Sequence, residues 1–249
     1  MIEQFISTIN GMTTTAKSEE NKKKRVKSEP LLKFYNENPF IFEIGVDEVG
    51  RGPLFGRVYA AAVILPKDDS FDHSKMKDSK KFHSKKQLQE VAEYIKENAI
   101  SWAVSYEDET TIDNINILQA SQSAMHRSIK KVIKKGTNLQ AASVNLLIDG
   151  NYFNPYTEVS SDVKIVQIHH VCIEGGDNKY SAIAAASIIA KVERDQYIED
   201  LCKEYPELIE KYSLDSNKGY GSKKHIDGIK QHGITVWHRR SFGICKNYV

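Results

Sequence analysis

Three places in the chain offer carboxylates where a metal ion could be held. The first is Asp47-Glu48, two adjacent acids at the end of the mostly apolar run Ile41 to Val46. The second is Asp149, which closes Val144-Asn145-Leu146-Leu147-Ile148. The third is Asp177, within Glu174-Gly175-Gly176-Asp177-Asn178-Lys179 and just ahead of a helical stretch. Carboxylate oxygens at strand ends suit a hard divalent cation. Directly after the first pair comes Val49-Gly50-Arg51-Gly52-Pro53-Leu54-Phe55-Gly56. Glycines let backbone N–H groups approach a sugar-phosphate closely, and Arg51 offers a fork for a phosphate. One short segment thus joins a candidate cation site to a candidate nucleic-acid cradle. Two of the acids also have ordinary readings: Asp149-Gly150 is a hairpin-turn dipeptide, and Asp177 suits a helix N-cap.

Sequence proximity does not bring these places together, so the fold must. Phe42 to Asp47 and Val58 to Leu65 read as strands joined by the glycine loop. Ser84 to Asn98 has helical spacing through Leu88, Val91, Ala92 and Ile95, with Ser84 as its N-cap. Ser101 to Ser105 is a short strand. Thr111 to Lys135 is a long helix with Ile115, Leu118, Met125, Ile129 and Val132 on its apolar side, ended by Gly136. Val144 to Ile148 is a nearly continuous apolar run that suits a buried parallel strand. Val163 to Ile168 is the next strand. Ser181 to Leu201 is a helix whose small residues suit close packing. This alternation predicts an α/β fold, a mixed sheet flanked by helices. In such sheets functional groups collect at the carboxyl ends of parallel strands, which picks out Asp47-Glu48 and Asp149. Neighbouring strand residues face opposite ways, so Asp47 and Glu48 share a site only if the strand ends or twists there.

The 249 residues suit one medium domain with an extension. Residues 1–40 form a basic N-terminal extension whose composition predicts disorder. Within it, Lys22-Lys23-Lys24-Arg25-Val26-Lys27 reads as a solvated linker, a nucleic-acid tether or a nuclear address. Residues 41–205 are expected as the main α/β domain and 206–249 as a C-terminal helical and loop region. A net charge of +2 allows nucleic-acid binding without demanding it. Cys172, Cys202 and Cys245 lack metal-ligand or redox spacing and read as reduced thiols of an intracellular, cytoplasmic protein. No apolar run is long enough to span a bilayer, and Phe5 to Ile9 is too short for a signal-peptide core.

Asp47-Glu48-Val49-Gly50-Arg51-Gly52-Pro53 resembles the first motif of the type 2 ribonucleases H, in particular ribonuclease HII, with Val49 in place of the usual alanine. Leu147-Ile148-Asp149-Gly150-Asn151 is similar to the second acidic motif. Gly176-Asp177 with Ser181-Ala182-Ile183-Ala184-Ala185-Ala186-Ser187-Ile188-Ile189-Ala190-Lys191-Val192 is similar to the third. Asp78-Ser79-Lys80-Lys81, Ile112 to Ala120, Gly219-Tyr220-Gly221 with His225, and His238-Arg239-Arg240-Ser241-Phe242 resemble further family segments, in order from about residue 42 to about residue 244. Arg51 favours the HII group, while Val49 and Phe55 lean toward ribonuclease HIII.

The resemblance implies a ribonuclease H fold, with residues 41–205 catalytic and 206–249 binding substrate, and four metal-site acids, Asp47, Glu48, Asp149 and Asp177. Two Mg²⁺ or Mn²⁺ ions roughly 3.5–4 Å apart can activate water and stabilise a leaving alkoxide. Asp47 is expected to bridge them, with Glu48 less central. The implied substrates are RNA/DNA hybrids and single ribonucleotides in duplex DNA, cut on the 5′ side to leave a 3′-hydroxyl and a 5′-phosphate. The implied sugar contacts are Gly50, Arg51, Gly52 and Tyr220, since the 2′-OH is what distinguishes RNA from DNA at one position. Lys80 and Lys191 are candidate phosphate contacts, and Lys81, Lys223, Lys224, Arg239 and Arg240 could add to them. His225 and His238 read as structural or surface groups, and His169-His170 does not read as a zinc site. The alternatives are a hybrid-only nuclease of the HIII kind and a hybrid-binding protein without catalysis. A monomer is expected, without a clamp-binding peptide in residues 243–249.

Overall fold

The computed structural model describes residues 30–135, 139, 143–159 and 164–248. In chain order the elements are β1 (Phe42–Val49), β2 (Val58–Ile64), α1 (Lys85–Asn98), β3 (Ser101–Glu107), α2 (Glu109–Lys135) and β4 (Val144–Asp149). Then come β5 (Thr157–Val159), β6 (Ile165–Gln167), β7 (His169–Ile173), α3 (Ser181–Glu204), α4 (Glu207–Tyr212), α5 (Leu214–Asn217) and α6 (Lys223–His232). Five strands form one mixed sheet in the order β3-β2-β1-β4-β7. The β1–β2 and β2–β3 pairs are antiparallel, and β1–β4 and β4–β7 are parallel. This is the α/β architecture that the strand-helix alternation predicts.

The central strands are apolar on both sides because both faces of the sheet are covered there. Every residue of β2 is buried. On one face, Ile44, Val46, Ala60, Ala62, Leu146 and Ile148 pack against Ala124, Met125, Ile129 and Val132 of α2. On the other, Ala61 and Val63 meet the alanine-rich half of α3 and the Leu88, Ala92 and Ile95 side of α1. Gly45 explains the small residues of α3: a Cβ at this position would lie 2.1 Å from the Ala182 carbonyl carbon. Helix and strand are in backbone contact there, so α3 is apolar nearly all round and buried through most of its first half.

The sequence reading needs four adjustments. First, α2 is broken at Asn116 (φ 66°, ψ 164°), whose Oδ1 accepts the Gln119 N–H at 3.1 Å and so starts the second half as a cap. Gly136, its expected terminator, lies outside the described residues. Second, the segment expected as the next strand, from Val163, does not join the sheet. Val163 lies outside the described residues, and β6 pairs only with β5 as a two-stranded ribbon. The fifth strand is β7, whose Val171 and Ile173 pack with Leu147 and Ile183. Third, residues 30–40 are docked on the domain. Leu32 donates to Lys179 O at 2.8 Å and accepts from Ser181 N at 3.0 Å, and the Glu43 carboxylate accepts the Tyr35 N–H at 3.1 Å. Residues 1–29, with the Lys22–Lys27 run, lie outside the described residues. Fourth, the C-terminal region is continuous with the domain. Leu208, Tyr212, Leu214, Ile229 and Cys245 share a core with Phe55 and with Ile198 and Cys202 of α3. Among the described residues no helix is long and apolar enough to cross a membrane.

Candidate active site

Asp47 and Asp149 come together through strand register. β1 and β4 pair in parallel up to Val46↔Ile148, so the next residue of each strand is an aspartate on the same sheet face. That face is the one covered by α3, as Gly45 against Ala182 shows. Asp149 is not a hairpin residue: its strand runs parallel to β7. Asp177 arrives from the crossover between β7 and α3, on a 3-10 turn at Gly176–Asn178 that follows the left-handed Gly175 (φ 62°). It is not the N-cap of α3 either, since Tyr180 occupies that position without a side-chain cap bond. The turn is fastened to the second acid, because the Gly176 N–H donates to Asp149 Oδ1 at 2.6 Å. Gly176 has to be small: a Cβ there would meet Ile183 Cδ1 at 2.5 Å and Asp149 Oδ1 at 3.3 Å.

Glu48 reaches the group from the other side. β1 does not stop at Asp47; its pairing with β2 continues through Glu48↔Ala60 and Val49↔Tyr59. Its pairing with β4 has already ended, however, so the Glu48 carboxylate still interacts with the charge of Asp149. Glu48 Oε1 is 3.1 Å from Arg51 Nη1. Asp47 Oδ1 accepts the Glu48 N–H at 2.7 Å, and the Ser187 hydroxyl of α3 faces the Asp47 carboxyl and favours its charged form. Ser187 in turn lies 3.1 Å from Ser79.

The electrostatics follow from burial. Desolvation, then repulsion from Glu48 and Asp149, pushes the Asp47 carboxyl well above the usual carboxylate range. Desolvation raises Glu48, with the Arg51 guanidinium opposing it. Desolvation also raises Asp149, opposed by the Gly176 N–H. Clusters of buried acids held against their own repulsion are characteristic of functional sites. Among the described residues no three His, Cys, Asp or Glu side chains form a ready-made cage. Mg²⁺ does not need one, since it takes few carboxylates beside waters and substrate oxygens.

The glycine loop and Tyr220 meet beside this edge. Gly50 has φ +89°, and a Cβ there would fall 2.3 Å from Arg194 Nε. At Gly52 a Cβ would lie 3.7 Å from Tyr220 Cε1, so the tyrosine ring stands over the loop. Tyr220 is 46% exposed and therefore not a core aromatic. Its carbonyl is bonded to His225 Nδ1 at 2.9 Å, and His225 Nε2 lies 3.1 Å from His238 Nε2. His238 Nδ1 accepts the Thr235 N–H at 2.9 Å. That sequence of bonds fixes two neutral rings, with His238 donating to His225 and His225 to Tyr220 O. Burial and the neighbouring His225 push His238 down to about 3, and burial lowers His225.

The basic residues divide. Lys80 is exposed on a turn whose Asp78 accepts the Lys80 N–H at 2.9 Å, and that turn abuts Asn178, which Lys81 also contacts. Lys191 is engaged by Asp195 one turn along α3. Lys223, Lys224 and Arg240 are exposed. Arg239, expected as a phosphate contact, is 0% exposed and bonded to backbone carbonyls, so it cannot serve as one. Ser187, Arg194 and the buried state of Arg239 escaped the sequence reading. Ser187 had one usable signal, a hydroxyl inside an otherwise apolar helical run. A groove of about 750 Å³ lined by Gln119, His126, Arg127 and Glu158 lies along α2, and none of the four acids lines it.

A mixed sheet with acids at the ends of two adjacent strands, and a third acid delivered ahead of the covering helix, defines a ribonuclease H-like protein. Solved structures agree on the fold. The ribonuclease H2 of Pyrococcus horikoshii matches with a TM-score of 0.62 at 21% identity, covering 84% of this chain and 97% of that one. Bst-RNase HIII in complex with Mn²⁺ matches with a TM-score of 0.62 at 19% identity, covering 84% and 69%. The family model described as ribonuclease HII matches residues 44–245. A ribonuclease HII of Bacteroides thetaiotaomicron is 43% identical over 214 residues, covering 86% of this chain and 94% of the relative. One from a Nostoc species is 45% identical over 205 residues, 81% of each. The chain belongs to the ribonuclease HII family, and so to the ribonuclease H hydrolases, endonucleases that cleave phosphodiester bonds.

Proposed function

We propose that this chain hydrolyses the phosphodiester bond on the 5′ side of a ribonucleotide, in RNA/DNA hybrids and at single ribonucleotides embedded in duplex DNA. The products are a 3′-hydroxyl and a 5′-phosphate. Asp47, Glu48, Asp149 and Asp177 hold the metal, Mg²⁺ or Mn²⁺, as a two-ion site. The observation that carries this reading is Asp47 and Asp149 on one sheet face with the Asp177 turn beside them, fastened to Asp149 by the Gly176 N–H.

The donor set fits hard divalent ions, since every candidate ligand is a carboxylate and the local cation, Arg51, pairs with Glu48 alone. Two such ions, when bound, supply an activated water and a stabilised leaving oxygen. The chain's own residues do the rest. Asp47 is buried at the end of β1, where the Glu48 N–H donates to its carboxylate and the Ser187 hydroxyl faces it, so both orient the carboxyl. Gly50-Arg51-Gly52 brings backbone to the ribose, and Tyr220 stacks on the sugar beside it. Lys80 lies on the turn next to Asn178, where a phosphate flanking the cut would pass, and Lys191 would have to leave Asp195 to join it.

The protein works inside the cell. The relatives are bacterial, which leaves the nuclear reading of Lys22–Lys27 without support. The test is Asp149→Asn and Asp177→Asn in purified protein. Both are expected to keep the fold and to lose cleavage of an RNA/DNA hybrid by about a hundred- to a thousandfold, on the scale of removing one electrostatic stabiliser. Near-normal rates in either would remove that acid from the site.

A further inference from the structure

The glycine loop is held from behind by a buried cation. Arg239 Nη2 donates to Gly50 O at 2.6 Å, Nη1 to Arg51 O at 2.9 Å, and Nε to Gly56 O at 2.8 Å. Its own backbone N–H donates to Leu54 O at 2.8 Å. The guanidinium is thus spent on three carbonyls of one loop. Its place is fixed from the far side, because Asp113 accepts the N–H groups of Arg240 at 2.8 Å and Ser241 at 2.9 Å.

The geometry of a trans peptide makes this more than a staple. C=O and N–H of one peptide unit point in opposite directions, and none of the described peptide bonds is cis. Pulling Gly50 O and Arg51 O inward to the guanidinium therefore turns the Arg51 and Gly52 N–H groups outward. Neither of these N–H groups finds an acceptor among the described residues. The Tyr220 ring stands beside this loop, 3.7 Å from the position of a Gly52 Cβ. A buried charge without a carboxylate partner is costly. A loop could be fastened without that cost, by packing or a neutral donor. A planar fork reaches two successive carbonyls at once, which a lysine ammonium cannot do.

We propose that Arg239 is a positioning residue for ribose recognition: by pinning the Gly50 and Arg51 carbonyls it presets the Arg51 and Gly52 N–H groups as paired donors to a ribose oxygen beside the acids. This rests on the function proposed above and names the group that sets its sugar selectivity. It also separates the two arginines of the loop, Arg51 for charge at the surface and Arg239 for the direction of the backbone behind it.

The test uses the full chain carrying Asp149→Asn, so that bound duplex is not cut. Affinity is measured in Mg²⁺ for a duplex with one ribonucleotide and for the same duplex in all-DNA form. Arg239→Met is expected to lower the ribonucleotide preference roughly 5- to 25-fold, the worth of one or two hydrogen bonds, while affinity for all-DNA stays within about twofold of the parent on the same reasoning. Arg239→Lys is expected to recover only part of the preference. Ile129→Val, a core change against α2 far from the loop, is expected to leave the preference intact. A preference that survives Arg239→Met overturns this inference alone. A parent that shows no preference overturns the proposed function and this inference with it. If Arg239→Met does not fold, the parent's own Arg51 and Gly52 amide resonances decide. They are expected to shift with the ribonucleotide duplex and not with the all-DNA duplex, and equal shifts with both would refute the assignment.

Discussion

Replacing Asp47 by asparagine is expected to abolish cleavage and, without metal, to stabilise the fold. Asp47 and Asp149 project from the same face of neighbouring strands immediately after the paired residues Val46 and Ile148. Strands lie about 4.8 Å apart, so two ionised carboxylates at that spacing repel by about 3 kcal/mol at an effective dielectric of roughly 20. Glu48 and Asp177 add to this, and burial adds more. The folded protein escapes part of the penalty because the raised Asp47 carboxyl can hold a proton, so the recoverable energy is smaller than the full repulsion. The sign follows from linkage. The folded pKa of Asp47 is raised, so the folded state binds more protons than the unfolded state between the two values, and stability falls as pH rises through the folded value. Asparagine keeps an acceptor for the Glu48 N–H and removes that slope. Melting in chelator at pH 8 is expected to rise by roughly 2–4 °C per kcal/mol for a domain of this size, and the gain is expected to shrink toward pH 5. Adding Mg²⁺ is expected to stabilise the wild type more than the variant, because only a bound ion shifts the equilibrium. A variant less stable than the wild type at pH 8 in chelator, or a difference independent of pH, would refute the reasoning.

Two further outcomes follow from the same geometry. The buried His238, pushed down to about 3 from an ordinary 6.5, binds fewer protons folded than unfolded in that window, so its contribution is present above pH 6.5 and lost as pH falls. Urea unfolding of the wild type is expected to lose about 2 kcal/mol from this residue between pH 7 and pH 5, and His238→Gln to lose correspondingly less; equal losses in both would exclude the buried neutral pair. Tyr220→Ala is expected to slow cleavage at an embedded ribonucleotide by at least roughly tenfold, the loss of a stacking contact and a hydrogen bond, while shifting the melting temperature little because the side chain is 46% exposed. Unchanged single-turnover rates would take Tyr220 out of the site.

How much of this was legible depends on whether a residue's role is set locally. Asp47 and Asp149 could be read as candidate site residues because an apolar strand ending in an acid, within a strand-helix alternation, already predicts where the acid stands. Asp177 was a weaker candidate on local grounds, since a turn acid ahead of a helix is ordinarily a cap; the resemblance raised it, and the Gly176–Asp149 bond shows how its turn is fastened beside Asp149. Glu48 was expected to share the site only if the strand ended or twisted there; the strand continues in its pairing with β2, and its pairing with β4 stops. β7 was missed because its polar start, His169-His170, hides the inward Val171 and Ile173, and because the ribbon before it looked like the better strand. Arg239 was misread for a more general reason. A charge in sequence is normally solvated, and nothing near His238-Arg239-Arg240 shows that the carbonyls of residues 50–56 will close over the middle one. Val49 and Phe55, which lean toward the HIII group in sequence, have packing roles here, against α3 and in the C-terminal core.

The most direct test of the central claim is cleavage of duplex DNA carrying one internal ribonucleotide, in Mg²⁺, in Mn²⁺ and in chelator, beside a long RNA/DNA hybrid. The account predicts a metal-dependent nick on the 5′ side of the ribonucleotide, with a 3′-hydroxyl and a 5′-phosphate, and cleavage of the hybrid as well. Cleavage of the hybrid alone would contradict the reading of the glycine loop and Tyr220 as a single-ribonucleotide reader, and cleavage in chelator would contradict the metal role of the four acids.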